Sequence, residues 1–185
     1  MLLETPRLLL RPFGTGDWAQ VHAYARDPEV VRHLDWGPHT EADSRAFIAR
    51  AMACDLQQLP HQRVHRLAAI FKPTGALVGD LCLKPGDPDP RSARLDCTLH
   101  RLAWGQGLGT ELARELIDAC FRRFPLRRVW ASCRPENIGC CRVMKKAGLR
   151  FEEYFQDERT AKGEVVDLLR CGLTREDWLR LRPAG

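Results

Sequence analysis

The stretch "LAWGQGLGTELARELIDACF" (residues 102–121) joins a glycine-rich turn directly to an amphipathic run. Gly105, Gly107 and Gly109 alternate with other residues just where a helix should begin. Each glycine costs roughly 0.5–1 kcal/mol relative to alanine in a regular element. Either the turn needs a backbone conformation that glycine adopts readily, or another group must approach this backbone closely.

The residues on both sides of the turn predict a strand–helix–strand unit. Residues Ser92–His100 alternate in polarity as a strand does, with Ala93, Leu95, Cys97 and Leu99 on one side. After the glycines, apolar residues recur at helical spacing, at Leu112, Ala113, Leu116, Ile117, Cys120 and Phe121. A further strand is predicted at Arg127–Cys133. Two strands joined through one helix form a right-handed crossover and run parallel.

The remaining elements predict a single domain, residues 1–185, of mixed α/β class. Thr40 and Asp43 have the spacing of a capping box. Further strands are expected at Arg7–Phe13, Val64–Phe71, Ala76–Lys84, Leu149–Phe155 and Glu164–Leu173, and helices at Asp17–Arg26, Glu41 to about Leu56, and Asn137–Ala147. The proline-rich segment Lys84–Ser92 is expected to be a hairpin loop rather than a domain boundary.

Composition restricts the class of protein. The chain has 185 residues, 44% hydrophobic and 29% charged, as in ordinary globular domains. It contains no run of about 18 apolar residues and no secretory signal, so we expect a cytoplasmic protein with no membrane partner. The 8 cysteines include no CxxC pair, which favours reduced thiols and no metal site. The net charge of +5 is spread along the chain, so no specific nucleic-acid partner is expected.

The glycine turn is suited to binding an anion. A turn between a strand and a helix directs free backbone N–H groups and the positive end of the helix dipole at one point. Thr110 can add a hydroxyl group, and the spacing is neither that of a Walker loop nor GxGxxG. Asn137 follows the next strand, at the edge of the sheet where ligands of α/β proteins bind. Two alternatives stay open: a purely structural glycine turn, and Asn137 acting as a helix N-cap.

Two motifs together resemble the GNAT superfamily of acetyl-CoA-dependent N-acetyltransferases, in particular its Rim-type, ribosomal-protein-acetylating branch. "WGQGLGTELA" is similar to the pyrophosphate loop Q/R-x-x-G-x-G/A, with Trp104 in place of Gln or Arg. "NIGCCRVMKKAGLRFEE" is similar to the Asn-containing helix of that branch, with Cys140 where Ser is usual and Leu149 for Phe. The resemblance extends from about Glu4 to Trp178.

The resemblance implies a fold and a donor substrate. The expected GNAT fold has a central, mixed, mostly antiparallel twisted sheet with one parallel strand pair and helices on both faces. The expected co-substrate is acetyl-CoA, with no metal. The residues implied to bind it are Leu99, Trp104, Gly105, Gln106, Gly107, Leu108, Gly109, Thr110 and Asn137. The loop N–H groups would bind the pyrophosphate, and the strand edge near Leu99 would bind the pantetheine arm.

Direct transfer to an amine requires a base, because the amine is an ammonium at neutral pH. Asp96 is the first candidate, with an ion pair to Arg94 or another arginine as the alternative; Glu153 and Asp167 are weaker candidates. Tyr154 or Cys140 could protonate the departing thiolate, although a dedicated acid is not essential. Met144 occupies the position where many relatives have a tyrosine.

The acceptor side is the least defined. In the segment Arg32–Thr40, Asp35 and Trp36 are the candidate acceptor residues, with Trp36 covering the core as the alternative. The expected acceptor is an amine, either a protein N-terminus or a small molecule, and a homodimer is a further expectation. A different class of function, an idle acyl-CoA-binding regulatory module, also fits the sequence.

Overall fold

The computed structural model describes residues 3–53, 64–86 and 88–181. Within these ranges it contains eight strands and six α-helices. The strands are β1 (Leu3–Glu4), β2 (Leu8–Arg11), β3 (His65–Phe71), β4 (Ala76–Pro85), β5 (Ser92–Leu99), β6 (Arg128–Cys133), β7 (Arg150–Arg159) and β8 (Val165–Thr174). The helices are α1 (Trp18–Ala25), α2 (Pro28–Val31), α3 (Glu41–Met52), α4 (Leu108–Arg123), α5 (Ile138–Lys146) and α6 (Arg175–Arg180).

The strands form one sheet in the order β1-β2-β3-β4-β5-β6-β8-β7. Neighbouring strands are antiparallel except β5 and β6, which are parallel and joined through α4. This confirms the predicted mixed, mostly antiparallel sheet with one parallel pair.

Helices cover both faces of the sheet, as expected. On one face α4 and α5 pack on apolar residues of the central strands, with Leu112, Phe121 and Met144 buried there. On the other face α1, α2 and α3 enclose a second cluster that includes Tyr24 and Phe47. The larger cluster lies directly beneath the glycine turn, because α4 begins at that turn.

Several boundaries differ from the sequence-based expectation. The first strand is shorter than Arg7–Phe13, since it lies between Pro6 and Pro12, and proline cannot donate a backbone hydrogen bond to a sheet. The capping box of Thr40 and Asp43 is present, and α3 ends at Met52; the expected end near Leu56 lies outside the described residues. β7 continues four residues beyond Phe155. The short elements β1, α2 and α6 were not predicted.

No helix in the described part of the chain combines the length and the apolar character needed to cross a bilayer.

Candidate functional site

β5 and β6 separate towards their C-terminal ends, and this gap is the centre of the site. Their register runs from Ser92 and Arg128 to Arg94 and Trp130, the last pair found between described residues of the two strands. Beyond it β5 remains paired with β4 as far as Leu99, and β6 remains paired with β8 as far as Cys133. Each strand therefore has one unpaired edge along the gap.

The free edge of β5 presents backbone donors and acceptors to the gap. The His100 N–H donates to the Val78 oxygen of β4 at 2.8 Å. Backbone groups of alternate residues face the same side of a strand, so those of Leu95, Cys97 and Leu99 face β6. Cys97, expected on the core side with its neighbours, is exposed. This edge can pair with the amide groups of an extended ligand.

Two of the three loop glycines are required by backbone conformation. Gly105 has φ +74° and Gly107 φ +78°, in the left-handed region that L side chains rarely adopt. Gly109 instead lies in a close contact, since a Cβ there would be 3.2 Å from the Val143 Cγ2 atom of α5. The glycines thus shape the turn and bring α4 close to α5.

The N-terminus of α4 has no side-chain cap. Gly107 is its N-cap residue, and the first intrahelical acceptor is the Gly107 carbonyl, which binds the Glu111 N–H at 3.1 Å. The N–H groups of Leu108, Gly109 and Thr110 precede that bond and belong to the four donors that a helix start leaves free. A 16-residue helix that begins without a cap beside an open strand edge can bind a phosphate group.

A clamp that sequence analysis missed holds the glycine loop in place. Glu111 accepts hydrogen bonds from the Arg7 Nε at 2.7 Å, from the Arg7 N–H at 2.9 Å and from the Thr5 hydroxyl. Arg7 Nη1 also donates to the Gln106 carbonyl at 2.9 Å. These contacts lower the pKa of Glu111 against the opposing effect of burial. Arg7 and Glu111 lie 104 residues apart in the chain, so no local signal could have paired them.

Trp104 braces the loop from the strand side. Its indole N–H donates to the Leu99 carbonyl at 2.9 Å, and its side chain is otherwise half exposed. The Leu99 carbonyl, expected at the ligand-binding edge, therefore already accepts one bond. A carbonyl oxygen has two lone pairs, so this contact leaves one for a ligand.

Asn137 is the N-cap of α5, which confirms one of the two interpretations of this residue from the sequence. Its side chain accepts a hydrogen bond from the Cys140 N–H at 3.0 Å. The residue follows directly on the loop after β6, on the opposite side of the gap from the glycine turn. The cap fixes the orientation of the α5 N-terminus towards the gap.

An open cleft of about 450 Å³ lies beside the end of β6. The segment after α2, the loop between β6 and α5, and the start of β8 form its walls, with Arg32, His33, Arg134, Glu136, Val165, Val166 and Asp167 as the lining residues. Arg134 is ion-paired with Glu164. Charged groups of both signs therefore line a cleft whose volume suits a small polar ligand.

Trp36 and Asp35, the expected acceptor residues, lie outside the cleft lining, and their acceptor role stays a prediction. Trp36 packs against the cluster under α1 and α3, with its ring 4.8 Å from that of His39, as the core-covering alternative described. Asp35 is exposed, and neither residue lines the cleft. The preceding residues Arg32 and His33 line it instead.

Asp96 takes part in two ion pairs. An ion pair with Arg94 was the alternative to its role as a base. Its carboxylate lies 2.9 Å from Arg94 Nε and 2.8 Å from Lys84 Nζ. Asp96 is thus an ion-paired carboxylate, and its role as the base stays a prediction.

The two candidate proton donors are already engaged in hydrogen bonds. The Tyr154 hydroxyl donates to Asp167, which raises the pKa of Tyr154 and lowers that of Asp167. Cys140 lies near Cys133. The hydrogen bond between their thiols lowers the pKa of Cys140 and raises that of Cys133. Tyr154 and Cys140 stay predictions as donors to a thiolate.

His33 is the cleft residue best suited to accept a proton. Burial lowers its pKa, Arg32 and Arg134 lower it further, and Glu136 and Glu29 oppose them. The lowered pKa favours the neutral form of the imidazole, which can accept a proton. The sequence placed His33 in the acceptor segment, but nothing local showed that it faces a cleft.

Comparison with known proteins identifies the family. Residues 7–150 match the model of the acetyltransferase (GNAT) domain. The uncharacterized N-acetyltransferase YnaD of Bacillus subtilis is 27% identical over 178 residues, covering 96% of this chain and 99% of YnaD. FsC-acetyl coenzyme A-N(2)-transacetylase of Aspergillus fumigatus is 29% identical, covering 97% and 79%.

Solved structures share the fold. A GNAT-family acetyltransferase from Bacillus anthracis superimposes with a TM-score of 0.85 at 27% identity, covering 95% of this chain and 99% of that one. RimL, a ribosomal L7/L12 alpha-N-protein acetyltransferase solved with CoA, gives 0.80 at 16% identity over 96% and 99%. Spermidine N-acetyltransferase from Vibrio cholerae, solved with CoA and spermine, gives 0.77 at 17% identity over 95% and 99%. With the family model covering most of the chain, this protein belongs to the GNAT family and is an N-acetyltransferase.

Proposed function

We propose that the chain transfers the acetyl group of acetyl-CoA to a primary amine by direct attack within a ternary complex. The observation that carries this proposal is the uncapped start of α4 beside the unpaired edge of β5. The first offers N–H donors to a pyrophosphate, and the second offers strand-like pairing to the amides of pantetheine. The two features meet at the glycine turn, as one elongated donor requires.

The donor residues follow from this placement. Backbone N–H groups from Gln106 to Thr110 bind the pyrophosphate, while Arg7, Glu111 and Trp104 hold the loop in shape. Leu99 pairs with the pantetheine arm. Asn137 orients the first turn of α5 at the thioester end.

The acceptor amine enters through the cleft beside β6. Glu136 and Asp167 attract an ammonium group, and Arg32 can bind an anionic group on the same molecule. A protein N-terminus and a small polar amine both satisfy this description. Two proteins that share the fold carry names of both kinds. RimL is named for acetylation of a ribosomal protein, and spermidine N-acetyltransferase for acetylation of a small amine.

His33 is the proposed general base. As a neutral imidazole on the cleft wall, it takes the proton from the ammonium group and frees the lone pair that attacks the thioester carbonyl. The C–N bond forms, the C–S bond breaks, and the nitrogen gives up its second proton, which balances the proton taken up by the departing thiolate. CoA leaves as a thiolate, which Tyr154 or Cys140 could protonate. Asp96 instead anchors Arg94 and Lys84.

We also propose membership of the Rim-type branch. The support is the resemblance of the two motifs to that branch and the shared fold with RimL. Acetylation of a ribosomal-protein N-terminus would establish it.

The experiment combines CoA binding with thiol release. The chain should bind CoA, and it should release free thiol from acetyl-CoA only when an amine from a panel of peptides and small amines is present. Binding without amine-dependent release would support the idle regulatory module. Absence of CoA binding would refute both functions.

A further inference from the structure

Three cysteines meet where β6 ends and α5 begins. Cys133 is the last residue of β6, and Cys140 and Cys141 lie in the first turn of α5. The Cys133 and Cys141 sulfur atoms lie 3.5 Å apart, while the Cys141 sulfur is 3.8 Å from the Pro135 carbonyl. The proposed transfer reaction does not use this Cys133–Cys141 pair.

We propose that the Cys133–Cys141 pair is an oxidation site, at which hydrogen peroxide converts the two thiols into an intrachain disulfide. The sulfurs are in contact and need to approach by about 1.5 Å to reach the disulfide bond length of about 2.0 Å. A disulfide here closes a short ring over the β6–α5 loop.

The reaction balances as a two-electron oxidation. The sulfur of Cys141, the more exposed of the two, attacks peroxide; the O–O bond breaks and a sulfenic acid forms with loss of water. The sulfur of Cys133 then attacks the sulfenic sulfur, the S–S bond forms, and the S–O bond breaks with release of a second water. Both cysteines are oxidised, and the peroxide is reduced.

The closed ring contains residues of both halves of the candidate site. Arg134 and Glu136 line the acceptor cleft, and Asn137 caps α5. Drawing α5 towards the end of β6 displaces these groups together. Oxidation should therefore slow acetyl transfer, an expectation that rests on the proposed function.

Peptide mapping tests the site without reference to activity. Reduced protein is treated with hydrogen peroxide, free thiols are alkylated, and the digest is analysed by mass spectrometry. We expect a Cys133–Cys141 cross-link in the wild type and in Cys171→Ser, a matched control on β8. Cys133→Ser and Cys141→Ser should each abolish it. Unlinked Cys133 and Cys141 in the oxidised wild type, or a link from Cys133 to Cys140, would overturn the proposal.

The activity measurement separates this inference from the proposed function. Thiol release should fall several-fold after peroxide and recover with dithiothreitol in the wild type and in Cys171→Ser, but not change in Cys141→Ser. If the cross-link forms and the enzyme shows no turnover under any condition, the proposed function fails while the oxidation site stands. If turnover occurs but no cross-link forms, the inference fails alone.

Discussion

At the scale of single residues, glycine occurs in the turn for two physical reasons. Gly105 and Gly107 supply left-handed backbone, whereas Gly109 lets α4 and α5 approach each other. Sequence analysis raised both a turn and a close approach, but it could not divide them among the three glycines. The role of Gly109 depends on its contact with Val143, a residue that becomes its neighbour only in the folded chain.

Gly107→Ala should weaken CoA binding more than it weakens the fold. A left-handed alanine costs roughly 1–2 kcal/mol, and relief of that strain turns the first N–H groups of α4 away from a phosphate. Calorimetric titration with CoA and thermal unfolding measure the two effects.

Gly75→Ala is the matched control. Gly75 has φ +70° and open space around its Cβ position, in the β3–β4 turn. It should show a similar loss of stability with unchanged CoA affinity. Equal CoA affinities for both variants would contradict the role of the loop.

Glu111→Gln should destabilise the protein at neutral pH by about 1.5–3 kcal/mol, the range for hydrogen bonds to charged groups. Because the folded-state pKa of Glu111 is lowered, its carboxylate stabilises the fold above the unfolded pKa of about 4.3. That contribution is lost as the pH falls through the folded-state value.

Denaturant unfolding at several pH values measures this effect. The difference between wild type and Glu111→Gln should shrink below about pH 4, near the ordinary pKa of glutamate. Glu158→Gln, an exposed change on β7, should have little effect at any pH. A difference that grew at acid pH would show that the clamp is misassigned.

At the scale of elements, the chemistry depends on where strands end. β5 and β6 stop pairing after three residue pairs, which leaves an edge of β5 open for the proposed donor. Strand, turn and helix could be predicted because their polarity patterns are local. The ion pair between Asp96 and Lys84, and the position of His33 in the cleft, arise from contacts between distant segments.

His33→Gln should lower kcat by roughly 10²-fold or more, the contribution of a positioned base. In the wild type, kcat/KM should rise with pH through a pKa below 6.5, because the neutral imidazole is the active form. That acid limb should vanish in the variant.

Asp96→Asn is the comparison for this prediction. It removes an ion-paired carboxylate and should retain the acid limb of the pH profile. Loss of the limb in Asp96→Asn, with His33→Gln unaffected, would restore Asp96 as the base.

At the scale of the whole molecule, a buried polar network joins the helices of one face to the sheet. Asp80 is fully buried on β4 and accepts hydrogen bonds from the Tyr24 hydroxyl of α1 at 3.0 Å and from Arg66 Nη1 of β3 at 2.9 Å. Burial raises the pKa of Asp80. The fold class and the parallel strand pair could be predicted from motifs and periodicity. This network could not, because its members are ordinary polar residues in the sequence.

Tyr24→Phe should lower the free energy of unfolding by about 1–3 kcal/mol, because the buried Asp80 loses a donor that water cannot replace. Tyr154→Phe removes a similar hydroxyl–carboxylate bond at the surface, where water replaces the lost partner, and should lower the free energy of unfolding clearly less. Denaturant unfolding of both variants measures the two losses in free energy of unfolding. Equal losses would mean that the Tyr24–Asp80 bond is not the stabilising contact.

The central claim is that the gap between β5 and β6 binds acetyl-CoA for transfer to an amine. The most direct measurement is release of free CoA thiol from acetyl-CoA by the wild type, with and without an amine panel, together with mass analysis of the amines. We predict amine-dependent thiol release matched by acetylation of the same amine. CoA binding with no acetylated product from any amine would contradict the account.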